Sequence, residues 1–196
     1  MIAELVSKNP HKLRELSVLL PGWQLEPTAA ERLPDETGTT FYENARAKAL
    51  FGRTEAGPGR WTVGEDSGLE VEGLAGRPGI YSARFAGPSA GDEENVEKLL
   101  AELRGVAGAG RRARYVCELV AVSPELEERR GRGTLGGCIA EEPRGTGGFG
   151  YDPVFVPDGE ERTVAELGDA WKARRSHRAA AAAKLAKAVG SAAPER

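Results

Sequence analysis

The stretch Trp61-Thr62-Val63-Gly64-Glu65-Asp66-Ser67-Gly68-Leu69-Glu70-Val71, running on to Arg77-Pro78-Gly79-Ile80-Tyr81-Ser82-Ala83-Arg84, decides how the rest of the chain is read. Trp61-Thr62-Val63 is aromatic and β-branched and follows the turn-forming Gly57-Pro58-Gly59, so it predicts a short strand. That strand is expected to end in the adjacent carboxylates Glu65 and Asp66, followed by a hydroxyl and a glycine. Neighbouring acids repel unless a cation or a donor-rich pocket compensates them. A hard divalent ion such as Mg²⁺ takes one or two carboxylates and completes its shell with water and phosphate oxygens. A solvated acidic turn is the plainer reading of these residues in isolation.

Working outward, the segments before this stretch read as α/β. Ile2-Ala3-Glu4-Leu5-Val6 predicts a first strand, and Leu13, Leu16, Leu19 and Leu20 share one face of a helix behind it. Asn9 suits the N-cap of that helix and Pro10 its first position. A capped helix fed by a strand points amides and a positive dipole end forward, and Lys12 lies one turn in. This reads either as a phosphate-binding corner or as an ordinary capped helix with a surface lysine. No G-x-x-x-x-G-K-[ST] pattern occurs, so it is not a P-loop. Trp23-Gln24-Leu25-Glu26 predicts a second strand, and Thr40-Phe41-Tyr42-Glu43 a capping box opening a helix with Asn44 and Lys48 on one face.

Beyond the acidic stretch, Val96, Leu99, Leu100 and Leu103 make an amphipathic helix starting near Asp92, with no chemistry visible. Tyr115 to Val122 predicts a buried strand; the next includes Gly133-Thr134-Leu135 and resumes at Cys138 after an irregularity at Gly136-Gly137. The two suggest an antiparallel pair in the middle of the sheet. Gly145-Thr146-Gly147-Gly148-Phe149-Gly150 matches the dinucleotide fingerprint by letter, yet Tyr151-Asp152-Pro153-Val154-Phe155-Val156-Pro157 follows it. A fingerprint must open a helix, and this run opens a strand, so the Rossmann reading is rejected. What remains is a loop whose Phe149, Tyr151 and Asp152 suit a planar ring. Thr163-Val164-Ala165-Glu166 repeats the capping-box pattern. Ser176 reads as the N-cap of an alanine-rich last helix, which places His177 and Arg178 where cations oppose the helix dipole. A locally unfavourable feature of this kind points to function.

Lys plus Arg is 27 against Asp plus Glu 30, a net of -3, which gives no reason to expect a nucleic-acid polymer or a membrane as partner. The clusters Arg111-Arg112-Arg114 and Arg129-Arg130-Arg132 read as solvated loop charges. No apolar run is long enough to span a bilayer and the N-terminus lacks a signal peptide's basic start, so a soluble, cytoplasmic protein is expected. Two His and two Cys without metal-ligand spacing argue against zinc, and Cys117 reads as a buried thiol. One domain over residues 1–190 with a frayed tail at 191–196 is the expected organisation.

Five separated segments together resemble the inosine triphosphate pyrophosphatase family. They are Ser7-x-Asn9-x-x-Lys12-x-x-Glu15; Glu36-Thr37-Gly38-x-Thr40-Phe41-x-Glu43-Asn44-Ala45-x-x-Lys48-Ala49; Asp66-Ser67-Gly68-Leu69 with Pro78 to Arg84; Gly147 to Pro153; and Ser176-His177-Arg178. The resemblance implies an elongated α/β fold, a mixed β-sheet flanked by helices with two lobes around a central substrate cleft, and a homodimer. It further implies Mg²⁺-dependent hydrolysis of ITP, dITP and XTP to the monophosphate and pyrophosphate. By motif, Ser7, Asn9, Lys12 and Lys48 would hold the triphosphate, and Glu36 and Asp66 the metal, with Asp66 also the catalytic base. Ser67 would contact substrate, and Phe149, Gly150, Tyr151, Asp152, Lys172, His177 and Arg178 would bind the base. Where the family commonly has Asp-Asp-Ser-Gly this chain has Glu65-Asp66-Ser67-Gly68, and the longer side chain is expected to shift the metal's second contact. Lys8 stands where some relatives have Gly, adding a positive charge near the phosphates.

Overall fold

A computed structural model of the chain describes residues 1–190; the tail expected at 191–196 lies outside the described residues. The order of elements is β1 (Ile2–Val6), α1 (Pro10–Leu19), β2 (Gln24–Pro27), α2 (Phe41–Glu55), β3 (Trp61–Val71), α3 (Asp92–Glu102), β4 (Arg112–Val122), β5 (Glu128–Ile139), β6 (Phe155–Pro157), α4 (Val164–Leu167), α5 (Asp169–Arg175) and α6 (His177–Gly190). The strands form one sheet in the order β2-β1-β3-β4-β5-β6, and helices flank it. The sheet is mixed: β1 runs parallel to β2 and to β3, whereas β5 and β6 are antiparallel. Among the described residues no helix is long and apolar enough to cross a membrane.

The chain divides into two compact units. The first takes residues 1–66, 117–133 and the chain from His177; the second takes 67–116 and 134–176. In the first unit, Ala3, Leu5, Val63, Cys117, Leu119 and Ala121 project from one side of the strands onto Leu16 of α1, Leu20 just after it, and Ala181, Ala182 and Leu185 of α6. From the other side, Val120 and Val122 meet Ala45 and Ala49 of α2. Two glycines set how closely the helices approach. A Cβ on Gly64 would stand 1.9 Å from the Ala45 carbonyl, and one on Gly133 would stand 2.0 Å from the His177 carbonyl. Both distances are far inside van der Waals contact, so α2 and the start of α6 are seated against bare strand backbone. In the second unit, Leu69, Val71, Phe85, Val96, Leu99, Leu103, Tyr115, Ile139 and Phe155 make a separate core.

The main departure from expectation concerns β3. The strand does not stop at the two carboxylates but continues to Val71. Side chains on a strand alternate between faces, and the hydroxyl of Thr62 accordingly donates to the Ala49 carbonyl of α2 at 2.8 Å, on the side opposite Val63. Glu65 and Asp66 are therefore sent to opposite faces. Three smaller expectations also change. The Gly136-Gly137 irregularity does not break β5, which runs unbroken to Ile139. The basic clusters lie mostly on strands rather than loops: Arg112, Arg114, Arg130 and Arg132 stay exposed on β4 and β5, Arg130 and Arg132 reaching the buried Glu118 of β4 at 2.7 and 3.3 Å, while Arg111 donates to the carbonyls of Ile139 and Ala140 at 2.8 and 2.6 Å. Around Lys172 the chain forms α5, a helix not foreseen, while Ser176, which ends it, stands in extended conformation directly before α6, the N-cap position expected of it.

Glu4 is an anomaly in β1. It is buried, flanked in register by Glu26 and Thr62, and its Oε1 has no hydrogen-bond partner among the described residues. A buried polar group left without a partner costs about 1–3 kcal/mol. Glu4→Val suits a strand interior and should raise stability by about 1–2 kcal/mol, read as an increased urea midpoint with unchanged slope. An unchanged or lower midpoint would show that the Glu4 carboxylate is compensated.

Candidate active site

The first unit brings two groups of charged side chains onto β3, one on each face. The group on the α1 and α6 side begins with the turn after β1. Ser7 Oγ accepts the Asn9 amide at 3.2 Å, and Asn9 Oδ1 caps α1 by accepting the amides of His11 and Lys12 at 2.9 and 3.3 Å. Pro10 occupies the first helical position as expected. From the first turn Lys12 extends its Nζ to 2.5 Å from Glu65 Oε2. The other oxygen of Glu65, Oε1, accepts Arg178 Nη2 at 3.0 Å and Nε at 3.3 Å. It also accepts the Cys117 thiol at 3.6 Å. Arg178 Nη1 meets Glu15 Oε2 at 2.5 Å. Burial alone would push the Glu65 carboxyl up, but the charges of Lys12 and Arg178 outweigh it and hold the group well below the usual carboxylate range. Burial, reinforced by the Glu65 charge, pushes the Cys117 thiol well up and keeps it a proton donor.

The group on the opposite face is built by α2, whose capping box forms as the sequence predicts: Thr40 Oγ1 accepts the Glu43 amide at 3.1 Å, and the Glu43 carboxylate accepts the Thr40 amide at 3.1 Å. One turn on, Asn44 and Lys48 share a buried face. Lys48 Nζ lies 2.5 Å from Glu36 Oε1 and 3.1 Å from Asp66 Oδ1, and donates to the Glu65 carbonyl at 3.1 Å. Asn44 Nδ2 donates to Asp66 Oδ2 at 3.2 Å, while its Oδ1 accepts the Gly38 amide at 2.9 Å. Asp66 is 4% exposed, and that burial raises its pKa despite the opposing charge of Lys48. Lys48 is pulled down by burial, but the carboxylates of Asp66 and Glu36 carry its pKa above the usual lysine value.

Glu36 and Asp66 thus already share one cation, the Lys48 ammonium. Two hard carboxylate oxygens facing a common positive charge fit a Mg²⁺ that draws its other ligands from water and phosphate. Among the described residues no group of three or more His, Cys, Asp or Glu is placed to hold a metal ion. Glu65 is no part of this pair, because the strand's alternation turns it away.

The second unit assembles the loop that ends in Asp152. Asp152 Oδ2 accepts the Phe149 amide at 3.0 Å and Lys172 Nζ at 2.7 Å, while Oδ1 accepts the Tyr115 hydroxyl at 3.2 Å. The Lys172 ammonium also lies 4.6 Å from the centre of the Phe149 ring. The Gly150 amide donates to Asp92 Oδ2 at 2.6 Å and the Tyr151 hydroxyl to the Ser82 carbonyl at 2.8 Å. No helix opens after Gly150, in keeping with rejection of the dinucleotide reading. Ser67 follows Asp66 along β3 and is half-buried.

With this geometry in hand, comparison with known proteins is decisive. The model of the Ham1 family matches residues 4–188. The chain belongs to the Ham1 family. It is 44% identical over 188 residues to the dITP/XTP pyrophosphatase of Methylococcus capsulatus, covering 93% of this chain and 92% of that one. It is 41% identical over 191 residues to the dITP/XTP pyrophosphatase of Bacillus subtilis, covering 94% and 95%. Its structure is similar to that of a HAM1 protein from Coxiella burnetii, with a TM-score of 0.87 at 34% identity over 98% of this chain and 100% of that one.

In this Ham1 chain the expected residues fall into groups by face and unit. Ser7, Asn9 and Lys12 gather at the start of α1, and Glu36, Lys48 and Asp66 on the α2 side of β3. Phe149, Gly150, Tyr151, Asp152 and Lys172 lie in the second unit, whereas His177 and Arg178 open α6 in the first. The resemblance groups Arg178 with the base-binding residues, yet its guanidinium is engaged by Glu65 and Glu15. Three residues that the sequence reading noted without a site role take part: Asn44, Glu15 and Glu65. Asn44 was signalled by its four-residue spacing from Lys48; the roles of Glu15 and Glu65 depend on contacts across 163 and 113 residues, which spacing does not show.

The depressed Glu65 pKa has a consequence for stability. The folded carboxyl binds its proton less tightly than the unfolded chain does, so its contribution is complete above the ordinary value of 4.5 and is lost as pH falls below it. Urea unfolding measured between pH 7 and pH 3 should show a steeper acid loss for the wild type than for Glu65→Gln. Parallel losses would mean that other carboxylates dominate the acid limb.

Proposed function

We propose that this chain is a Mg²⁺-dependent pyrophosphatase that hydrolyses non-standard purine nucleoside triphosphates, ITP, dITP and XTP, between the α- and β-phosphates. The observation that carries the reading is the α2 face of β3, where a buried lysine, Lys48, is gripped by Glu36 and Asp66. The names of the relatives point the same way. A triphosphate needs cations and free donors to offset its charge, and Lys12, Lys48, Ser7 and the N-terminus of α1 supply them. Held by Glu36 and Asp66, Mg²⁺ would supply charge neutralisation and acidify water for attack on the α-phosphorus.

Asp66 is the base in this reading. Its elevated pKa, caused by burial, makes it a better proton acceptor than a solvated carboxylate, and Asn44 holds its Oδ2 in place. Phe149 offers a ring face for stacking and Lys172 a donor that suits the C6 oxygen of hypoxanthine or xanthine. Resemblance to the family also supports a homodimer that works in the cytoplasm on free nucleotides.

Incubation with ITP, XTP, GTP or ATP and Mg²⁺, followed by phosphate measurement with and without added inorganic pyrophosphatase, tests the reaction. Phosphate from ITP and XTP that appears only with the helper enzyme is the expected result. Phosphate released without it would identify a terminal phosphatase instead, and no turnover at all would leave a binding protein. Asp66→Asn should lower kcat by about 10²-fold or more, the scale of a lost general base, with a much smaller change in nucleotide affinity. Near-normal turnover in that variant would move the base elsewhere.

A further inference from the structure

The six residues from Gly145 to Gly150 include four glycines, and the backbone freedom that glycine brings must be lost again wherever a loop holds a side chain in place. Past this run the chain is fixed: Tyr151 is buried and its hydroxyl donates to the Ser82 carbonyl at 2.8 Å. Phe149 lies between the glycine-rich run and that anchor. A peptide group is planar, so the course of the chain at Phe149 is set by the two peptide groups that flank it. The N–H of the first donates to Asp152 Oδ2 at 3.0 Å. The second joins Phe149 to Gly150. Its carbonyl accepts the Asp152 amide in a long bond of 3.3 Å, and its N–H donates to Asp92 Oδ2 at 2.6 Å. Asp152 thus grips Phe149 from within the loop, and Asp92 grips it from outside. Asp92 is the first residue of α3 and is exposed. An acid in a first turn ordinarily serves the helix dipole. In α3 that duty is shared with Glu93 and Glu94, and Glu94 also accepts the Gly91 amide at 2.7 Å. The Asp92 carboxylate reaches across to the loop instead.

We propose that Asp92 is a positioning residue for nucleotide recognition: by fixing the Phe149–Gly150 peptide it orders the Phe149 ring for stacking on the purine. The proposal rests on the reading of Phe149 as a base-binding residue. It places the effect of Asp92 at the base end of the substrate, apart from the phosphates and the reacting phosphorus. The part Asp92 plays is that of a hydrogen-bond acceptor, not of a charge.

The probes are inosine monophosphate and inorganic tripolyphosphate, titrated calorimetrically, together with ITP turnover in the presence of Mg²⁺. Phe149→Ala should weaken inosine monophosphate binding and raise KM for ITP. If it does neither, the loop does not bind the base, and the proposal fails with that reading before any Asp92 variant is considered. Asp92→Ala should raise KM for ITP and weaken inosine monophosphate binding by about three- to tenfold, the scale of one net hydrogen bond. Its kcat should stay within about twofold of wild type, the pattern of lost uniform binding. Binding of tripolyphosphate, which has no base, should not change. Asp92→Asn keeps an acceptor oxygen without the charge and should stay within about twofold of wild type in every measurement. Hydrogen exchange read by mass spectrometry should be faster over residues 147–150 in Asp92→Ala than in wild type or Asp92→Asn. Asp92 is exposed, so both variants should fold, which circular dichroism checks. A role confined to the α3 dipole would lower the thermal midpoints of both variants alike and leave KM unmoved. That result would overturn the proposal, as would a fall in kcat at constant KM, or an equal weakening of tripolyphosphate binding.

Discussion

A strand alternates its side chains, and in β3 that constraint separates two adjacent carboxylates onto opposite faces of the sheet. Much of the first unit's polar architecture follows from it. Glu65 draws Lys12 from α1 and Arg178 from α6, while Asp66 draws Asn44 and Lys48 from α2. Each carboxylate is therefore paired with a lysine from the helix on its own side, while the charges of Lys12 and Lys48 are each felt by both acids and offset the repulsion between them. The arrangement needs helices close to the strand backbone. Gly64 admits α2 immediately before the two acids, and Gly133 admits the turn of α6 that carries His177 and Arg178.

Burying this much charge is costly in desolvation. Replacing a buried ion pair by well-packed apolar side chains is often neutral or stabilising, whereas removing one partner is costly. The group of Glu15, Arg178, Glu65 and Lys12 is thus weak evidence for a stabilising role, and so is the position of Arg178 in the first turn of α6, where the helix dipole opposes a cation. The two carboxylates offset that local disadvantage. Local rules broken in one place and compensated by residues far along the chain are expected where a site must hold charge ready for a ligand. Glu4 presents the contrast: it is buried, and its Oε1 has no hydrogen-bond partner among the described residues.

Most elements that could be read from local pattern were read correctly. The Asn9-Pro10 helix start and the Thr40 and Thr163 capping boxes depend on neighbours within a few positions, and all three form, whereas the strand expected over residues 151–157 forms only at Phe155–Pro157, after a turn. What local pattern hid was how far β3 extends, because Ser67 and Gly68 read as a turn although the strand passes through them. That one misplacement carried others with it. With the strand ended at Asp66, the two acids seemed to belong together, and Glu65 was weighed as a second metal contact. The arginine clusters failed for the same reason, since Arg130 and Arg132 alternate on β5 to meet a buried Glu118 that nothing nearby in sequence announces. Site residues were legible as types at motif positions; their partners were not.

The same logic bears on how a purine would be told apart in the proposed reaction. A carboxylate has about four lone-pair sites, and those of Asp152 already accept the Phe149 amide, the Lys172 ammonium and the Tyr115 hydroxyl. Asp152 is therefore poorly suited to accept the 2-amino group of guanine, and it serves better as the anchor of its neighbours. By holding Lys172 beneath the Phe149 ring it fixes a cationic donor and an aromatic face in one place. A donor so fixed rewards an acceptor oxygen at C6 and leaves an amino group there opposed by another N–H. An unmade hydrogen bond of this kind costs about 1–3 kcal/mol, which in the proposed reaction would disfavour adenine. Guanine shares the C6 oxygen with hypoxanthine, and a donor at this position cannot distinguish the two. On this reading, selectivity against GTP has to arise from contacts around the 2-position that lie outside the Asp152 network.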